Sequence, residues 1–184
     1  MLTLTSLVYS VTLVFILALA LDASADKCEI DGEYNYKVLF NTVWRVEVEE
    51  VHCLNKTSKG CSWYLQFCNN IPVNPCGVGH ACEVNSSGLS PLTMGSSPSL
   101  MADGPTRFVV RYEPVSNNET KCKDSIKMNV IFECDKTKGI AVGPGAELTK
   151  LQYSKIVGDS CEHNMTVLFN GACLPVPPPG GLSA

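Results

Sequence analysis

The sequence predicts an all-β protein: a disulfide-stapled flattened β-barrel or sandwich of two antiparallel sheets. Apolar and polar residues alternate along several short segments, most clearly in residues 121–135 and 160–173. Cysteines flank both of these segments, which suggests strands that are bridged at their ends. No segment shows the 3.6-residue periodicity of an amphipathic helix.

Period-two alternation defines the individual strands. It places Ile126, Met128, Val130 and Phe132 on one face of a strand, and Met165, Val167 and Phe169 on one face of another. Further strands, or two short ones in the first case, are predicted at Tyr34–Phe40, Val43–Glu49, Trp63–Phe67, Ala81–Val84 and Phe108–Tyr112. Residues 69–79 are predicted as turns, and residues 86–106, rich in Ser, Pro and Gly, as a long loop.

The two ends of the chain differ from this central part. Residues 1–21 carry no charged side chain, and Ala23-Ser24-Ala25 then form the small-x-small pattern of a signal-peptidase site. We interpret residues 1–25 as a signal peptide rather than a membrane anchor, because the apolar run is short for a full span. Residues 26–173 then form one lumenal domain, and the Pro/Gly-rich residues 174–184 form a stalk or linker.

Ten cysteines follow the signal peptide: Cys28, Cys53, Cys61, Cys68, Cys76, Cys82, Cys122, Cys134, Cys161 and Cys173. An even number of cysteines in a secretory chain predicts five disulfides, but the spacing leaves their pairing open. No metal site is expected, because no Cys-x-x-Cys pair occurs and the three histidines are scattered.

Other sequence patterns narrow the class of function. Glycosylation sequons begin at Asn55, Asn85, Asn118 and Asn164, in agreement with a lumenal address. The formal net charge of -4 provides no basic surface for nucleic acid. The chain has no nucleophile elbow, HExxH motif or Gly-rich phosphate loop, so neither an enzyme nor a cofactor is expected.

Several features follow one another in a familiar order: residues 63–68, Cys76-Gly77, residues 81–84, Tyr112-Glu113, Cys122, residues 130–134 and residues 161–173. In this order the chain resembles a mannose-6-phosphate receptor homology domain over residues 28–173. The resemblance implies two packed sheets in a flattened barrel. It also implies crossed bridges Cys122–Cys161 and Cys134–Cys173 and a local bridge Cys76–Cys82. We expect Cys28–Cys68 and Cys53–Cys61 to complete the set.

The resemblance also implies where a sugar would bind. Phosphomannose binders of the family use Gln, Arg, Glu and Tyr. The matching positions here hold Glu83, Ile126-Lys127, Tyr153 and His163, with Glu147 available only if a loop is shifted. Because Glu83 would meet a phosphate with like charge, the usual mannose 6-phosphate site is expected to be lacking. A neutral mannose-type ligand is favoured, with Gln66, Glu83 or Glu147 as acceptors. Binding of mannose 6-phosphate would mean that Lys127 or His163 supplies the missing cation.

A structural interpretation of the same residues stands beside this one. Glu83 would be a solvated carboxylate on a strand face, and His163 a surface histidine. Trp44 and Trp63 would belong to the core rather than to a sugar-stacking surface.

The expected function is a lectin-like lumenal receptor or sorting module of the Golgi–endosome–lysosome route. Its partner would be a glycoprotein or glycan, and a transmembrane helix beyond Ala184 would attach it to the membrane, because the tail resembles the stalk of membrane-bound family members. The alternative is a freely secreted disulfide-rich binding or defence protein. An apolar run of about 20 residues after Ala184 would favour the receptor.

Overall fold

The computed structural model describes residues 28–30, 34–54, 60–68, 75–77, 79–85, 91–116, 122, 125–140, 148–158 and 161–174. The predicted signal peptide, the predicted stalk after Leu174, and Asn55, Asn118 and Glu147 lie outside these residues. Among the described residues, none belongs to a helix long and apolar enough to cross a membrane.

The described residues form nine strands. They are β1 Val43–Val48, β2 Cys61–Leu65, β3 Ala81–Asn85, β4 Leu92–Ala102, β5 Arg107–Glu113, β6 Lys127–Cys134, β7 Leu148–Lys150, β8 Lys155–Val157 and β9 Glu162–Phe169. Short 3-10 turns occur at Lys37–Asn41, Glu50–His52 and Asn170–Ala172, and the described residues contain no α-helix. The predicted all-β class is therefore confirmed.

The strands form one curled mixed sheet, a half-barrel, in the order β7-β1-β2-β3-β4-β5-β6-β9-β8. The expectation of two antiparallel sheets is not confirmed, because β1–β7 and β6–β9 pair in parallel. Parallel partners need long connections, and long chain segments do separate these strands. We call β7, β1, β2 and β3 the first half of the sheet, and β5, β6, β9 and β8 the second half.

Strand β4 joins the two halves, and the prediction of a loop over residues 86–106 is wrong for residues 92–102. Its first residues pair with β3 and its last with β5. Alternation along β4 is broken because the register shifts between Ser96 and Ser99, where Ser97 has a φ of 38°. A Cβ on Gly95 would lie 2.5 Å from the Cβ of Tyr112, so the close approach of β4 to β5 requires glycine there.

The strand predicted over residues 34–40 is also replaced by other structure. Residues 37–41 form a 3-10 turn, and Tyr34 and Tyr36 are buried by ring packing rather than by a strand's pleat. The Tyr34 ring lies 5.5 Å from the Phe108 ring, and its hydroxyl donates to the carbonyl of Gly104. Two buried tyrosines two residues apart therefore gave the sequence pattern of a strand where no strand forms.

Aromatic side chains fill the space between the two halves. The Phe67 ring, which follows β2, lies 6.3 Å from Trp44 of β1 and 5.5 Å from Phe132 of β6. Phe132 also stacks on Phe108 at 4.8 Å and meets Phe169 edge-on at 5.9 Å. Trp44 and Trp63 are fully buried, as the structural interpretation predicted.

All ten cysteines are paired as Cys28–Cys68, Cys53–Cys61, Cys76–Cys82, Cys122–Cys161 and Cys134–Cys173. This is the pairing that the resemblance and its completion predicted. Two of the bridges hold the parallel pair β6–β9 at both ends, because Cys122 and Cys161 precede the strands while Cys134 and Cys173 lie at or beyond their last residues. Each bridge is expected to contribute about 2–4 kcal/mol.

Candidate functional site

Glu83 lies inside the half-barrel. Its strand, β3, directs the side chain inward beside Trp63 of β2, its cross-strand neighbour. One carboxylate oxygen, Oε2, accepts the backbone N–H of Leu54 at 2.7 Å and the indole N–H of Trp63 at 3.3 Å. Glu83 is only 1% exposed, so its interpretation as a solvated carboxylate is wrong. The chain after Cys53 turns a backbone amide toward it and supplies the partner that burial demands.

His163 is buried on the opposite side of the core. It lies on the inward face of β9, between the bridge at Cys161 and the buried Met165, and is 0% exposed. Its ring lies 4.9 Å from the Trp63 ring. The interpretation as a surface histidine is therefore wrong. Glu83, Trp63 and His163 form a buried row from the first half of the sheet to the second, which we call the interior row.

The other predicted ligand residues do not complete a sugar site around this row. Gln66 is buried after β2, where its backbone carbonyl accepts a hydrogen bond from the Tyr112 hydroxyl at 3.0 Å. Burial raises the pKa of Tyr112, which keeps this hydroxyl protonated as a donor. Lys127 is exposed at the start of β6, on the face opposite the buried Met128, and so points away from the interior row. Glu147 lies outside the described residues.

One group of residues around Glu83 has the spacing of a metal site. The Sγ atoms of Cys53 and Cys61 and a carboxylate oxygen of Glu83 all lie within 4.8 Å of one another. The two sulfurs are bonded to each other, so neither offers a thiolate to a metal ion. The Cys53–Cys61–Glu83 group is therefore a disulfide beside a buried carboxylate, and the Leu54 N–H next to the disulfide is hydrogen-bonded to that carboxylate.

An open cleft lies at another place on the surface. Its volume is about 340 Å³, within the usual range for ligand sites. It is lined by three segments of the chain: Lys138, Gly139 and Ile140; Lys150, Leu151, Gln152, Tyr153 and Ser154; and Leu168. We call it the Tyr153 cleft. It offers an aromatic ring, an amide, a hydroxyl and two ammonium groups.

Both ammonium groups of the Tyr153 cleft lie near carboxylates. The Lys150 ammonium lies 2.7 Å from a Glu47 carboxylate oxygen and, through this hydrogen bond, lowers the pKa of Glu47. The pKa of Asp135 is lowered chiefly by hydrogen bonds from Thr137, and to a smaller extent by the charge of Lys138. Burial raises the pKa of Tyr153, and the charge of Glu49 adds to the effect. The cleft is thus close to balanced in charge, with a protonated phenol.

Sequence reasoning did not predict this cleft. Strand β7 and the residues that follow it have no alternation and no motif, and only Tyr153 was noticed, as a mismatch with the family pattern. The ion pair that neutralises Lys150 joins it to Glu47, 103 positions away in the chain. No local pattern could have indicated it.

The sequence matches no protein-family model and no curated protein. We therefore infer a function from the residues and geometry described above.

Proposed function

We propose that this chain is a non-enzymatic, lectin-like binding module of the secretory pathway lumen, related to the mannose-6-phosphate receptor homology domains and acting on the Golgi–endosome–lysosome route. The five disulfides support an oxidising compartment. The curled sheet also suits the flattened barrel of two sheets that the family uses. The observation that carries the proposal is the chemistry of the Tyr153 cleft, with an aromatic ring among hydrogen-bonding groups.

The interior row is not the ligand site in this proposal. Glu83, at the position of the family's Gln, already accepts two N–H groups and is shut off from solvent. A sugar hydroxyl could reach it only if Trp63 and the loop after Cys53 moved, and the bridge from Cys53 to Cys61 holds that loop. Recognition therefore takes place on the outside of the sheet.

The Tyr153 cleft suits a neutral sugar better than a phosphorylated one. Sugar hydroxyls need both donors and acceptors, which Gln152 and Ser154 provide, and the Tyr153 ring offers an apolar surface for a sugar ring. A phosphate needs cations that are not already neutralised, whereas Lys150 is paired with Glu47. We therefore expect mannose-type glycans to be preferred over mannose 6-phosphate.

Binding to immobilised mannan and phosphomannan near neutral pH tests the proposal. The chain should be retained on mannan, eluted by free mannose, and retained no better on phosphomannan. Tyr153→Ala should abolish retention, while Tyr153→Phe, which keeps the ring, should preserve most of it. Arg111→Ala, an exposed change on β5 away from the cleft, serves as the control.

Three results would contradict parts of this proposal. Elution from phosphomannan by free mannose 6-phosphate would show that the chain binds a phosphorylated sugar. Retention unaffected by Tyr153→Ala would remove the cleft as the site. Recovery of the full-length protein from the culture medium rather than from the membrane fraction would favour the secreted binding or defence protein instead.

A further inference from the structure

Asn164, the first residue of a sequon, lies within the sheet rather than in a loop. Strand β9 pairs with β6 on one side and with β8 on the other, and Asn164 lies opposite Asn129 and Val157 respectively. Its neighbours His163 and Met165 face the core, so the half-exposed Asn164 is on the outer face. The Asn129 side-chain amide donates to the Asn164 side-chain oxygen at 2.9 Å. This hydrogen bond to Asn129 fixes the orientation of the Asn164 side-chain amide, including its nitrogen.

The hydroxyl residue of the same sequon is buried. Thr166 is 3% exposed, although it lies on the same face of β9 as Asn164. Its carbonyl accepts the backbone N–H of Ser154 at 2.8 Å and the Ser154 hydroxyl at 3.2 Å. On its other side β9 is held by the parallel ladder to β6. The folded sheet therefore holds the backbone of the sequon in place along both edges.

Glycan transfer to asparagine needs a sequon that can leave the sheet. The reaction forms a bond between the asparagine amide nitrogen and the first carbon of a sugar, breaks that carbon's bond to a lipid-linked pyrophosphate, and releases the lipid pyrophosphate and the amide proton. The transferring enzyme must hold the asparagine amide and the Ser or Thr hydroxyl together. In the folded protein the sequon hydroxyl is covered, and the strand cannot be withdrawn without breaking two ladders.

We propose that Asn164 is an N-glycosylation site that is modified only before β9 docks between β6 and β8. The competing event is local. Cys161 lies three residues before Asn164 and is bridged to Cys122, ahead of β6. Closing this bridge brings the start of β9 onto β6 and starts the parallel ladder. Occupancy of Asn164 is thus set by a race between glycan transfer and formation of the Cys122–Cys161 bridge.

The glycan also has a role in the folded protein. Strand β8 is the edge of the sheet next to β9, with only three residues, and its Val157 is 53% exposed. Exposed edge strands promote pairing between molecules unless something blocks them. A glycan that leaves the outer face at Asn164, directly opposite Val157, covers this edge.

An in vitro transfer experiment tests two things separately: whether Asn164 can be glycosylated, and whether glycosylation must precede folding. The signal-free chain is produced in bacteria, refolded until no thiol can be labelled, and compared with the same chain after reduction and alkylation. Both samples receive purified oligosaccharyltransferase and a lipid-linked oligosaccharide, and glycopeptide mass spectrometry then reads Asn164. The unfolded sample should become glycosylated at Asn164, and the folded sample should not. Equal modification of both would overturn the order of events, and modification of neither would overturn the site.

Expression in mammalian cells tests the competition itself. The pair Cys122→Ser and Cys161→Ser should raise occupancy of Asn164 in whole-cell lysate, because the bridge that docks β9 cannot form. The matched control pair, Cys76→Ser and Cys82→Ser, removes a bridge to β3, which is not a neighbour of β9 in the sheet, and should leave occupancy unchanged. An equal rise in Asn164 occupancy with both cysteine pairs would contradict this competition. No rise with either pair would contradict it as well.

Discussion

Replacement of Glu83 tests the closed interior directly. Its Oε2 atom is an acceptor for the N–H groups of Leu54 and Trp63, which are 5% and 0% exposed. Glu83→Ala removes that acceptor where water has no access. A buried donor left unsatisfied costs about 1–3 kcal/mol, so two such donors should lower the free energy of unfolding by about 2–6 kcal/mol. The cavity left by the shortened side chain would add to this loss.

Glu83→Gln is the matched control. The glutamine side chain has nearly the same shape, and its carbonyl oxygen can accept the same two N–H groups. A neutral acceptor weakens each bond by about 1 kcal/mol relative to a charged one. Removing the buried charge also removes its desolvation cost, so we expect a net loss of about 2 kcal/mol at most. The difference between Glu83→Ala and Glu83→Gln isolates the contribution of the acceptor.

Urea unfolding with the disulfides intact measures both values. A change in midpoint at constant m-value would report a change in stability alone. A loss below about 1 kcal/mol for Glu83→Ala would show that solvent or another group reaches the two donors, and the interior row would then be open rather than closed. Equal losses for the two variants would refute the acceptor role.

Three further predictions concern the framework of the fold. Alkylation without reduction should label no cysteine of the mature chain, and labelling of two or more would contradict the five bridges. Burial lowers the pKa of His80 below its ordinary 6.5, so the unfolded chain takes up this proton first as the pH falls. Stability should therefore decline as the pH falls below 6.5, until the lower pKa of folded His80 is passed. His80→Gln should flatten the plot of Tm against pH in that range. An unchanged slope in the variant would contradict the role of His80. Gly95→Ala should cost about 1–3 kcal/mol in urea unfolding, because its Cβ would meet that of Tyr112, whereas Gly139→Ala, with its nearest contact at 3.7 Å, should be close to neutral.

The sequence by itself determined the fold class and most of the strands. Alternation of apolar and polar residues is a local signal, and it identified β1, β5, β6 and β9 because one face of each is buried. The number of cysteines predicted five bridges, but their pairing came from the resemblance, because cysteine spacing alone leaves many pairings open.

The tertiary structure decided which residues are inside. Glu83 and His163 are candidate ligand residues in the sequence, and the structural interpretation places both at the surface, since a charged or titratable side chain is usually solvated. Both are buried in the folded molecule. Their burial depends on Trp63 and on the backbone amide of Leu54, and neither contact follows from the residues next to them in the chain.

Strand β4, the parallel pairs and the Tyr153 cleft likewise required the folded molecule. The bulge between Ser96 and Ser99 erased the period-two pattern of β4, and only the approach of Tyr112 explains Gly95. Strand order is set by which distant segments bury each other's apolar faces, so it is not encoded in any local pattern. The cleft forms where three segments between Lys138 and Leu168 meet, and its chemistry exists only after they have been brought together.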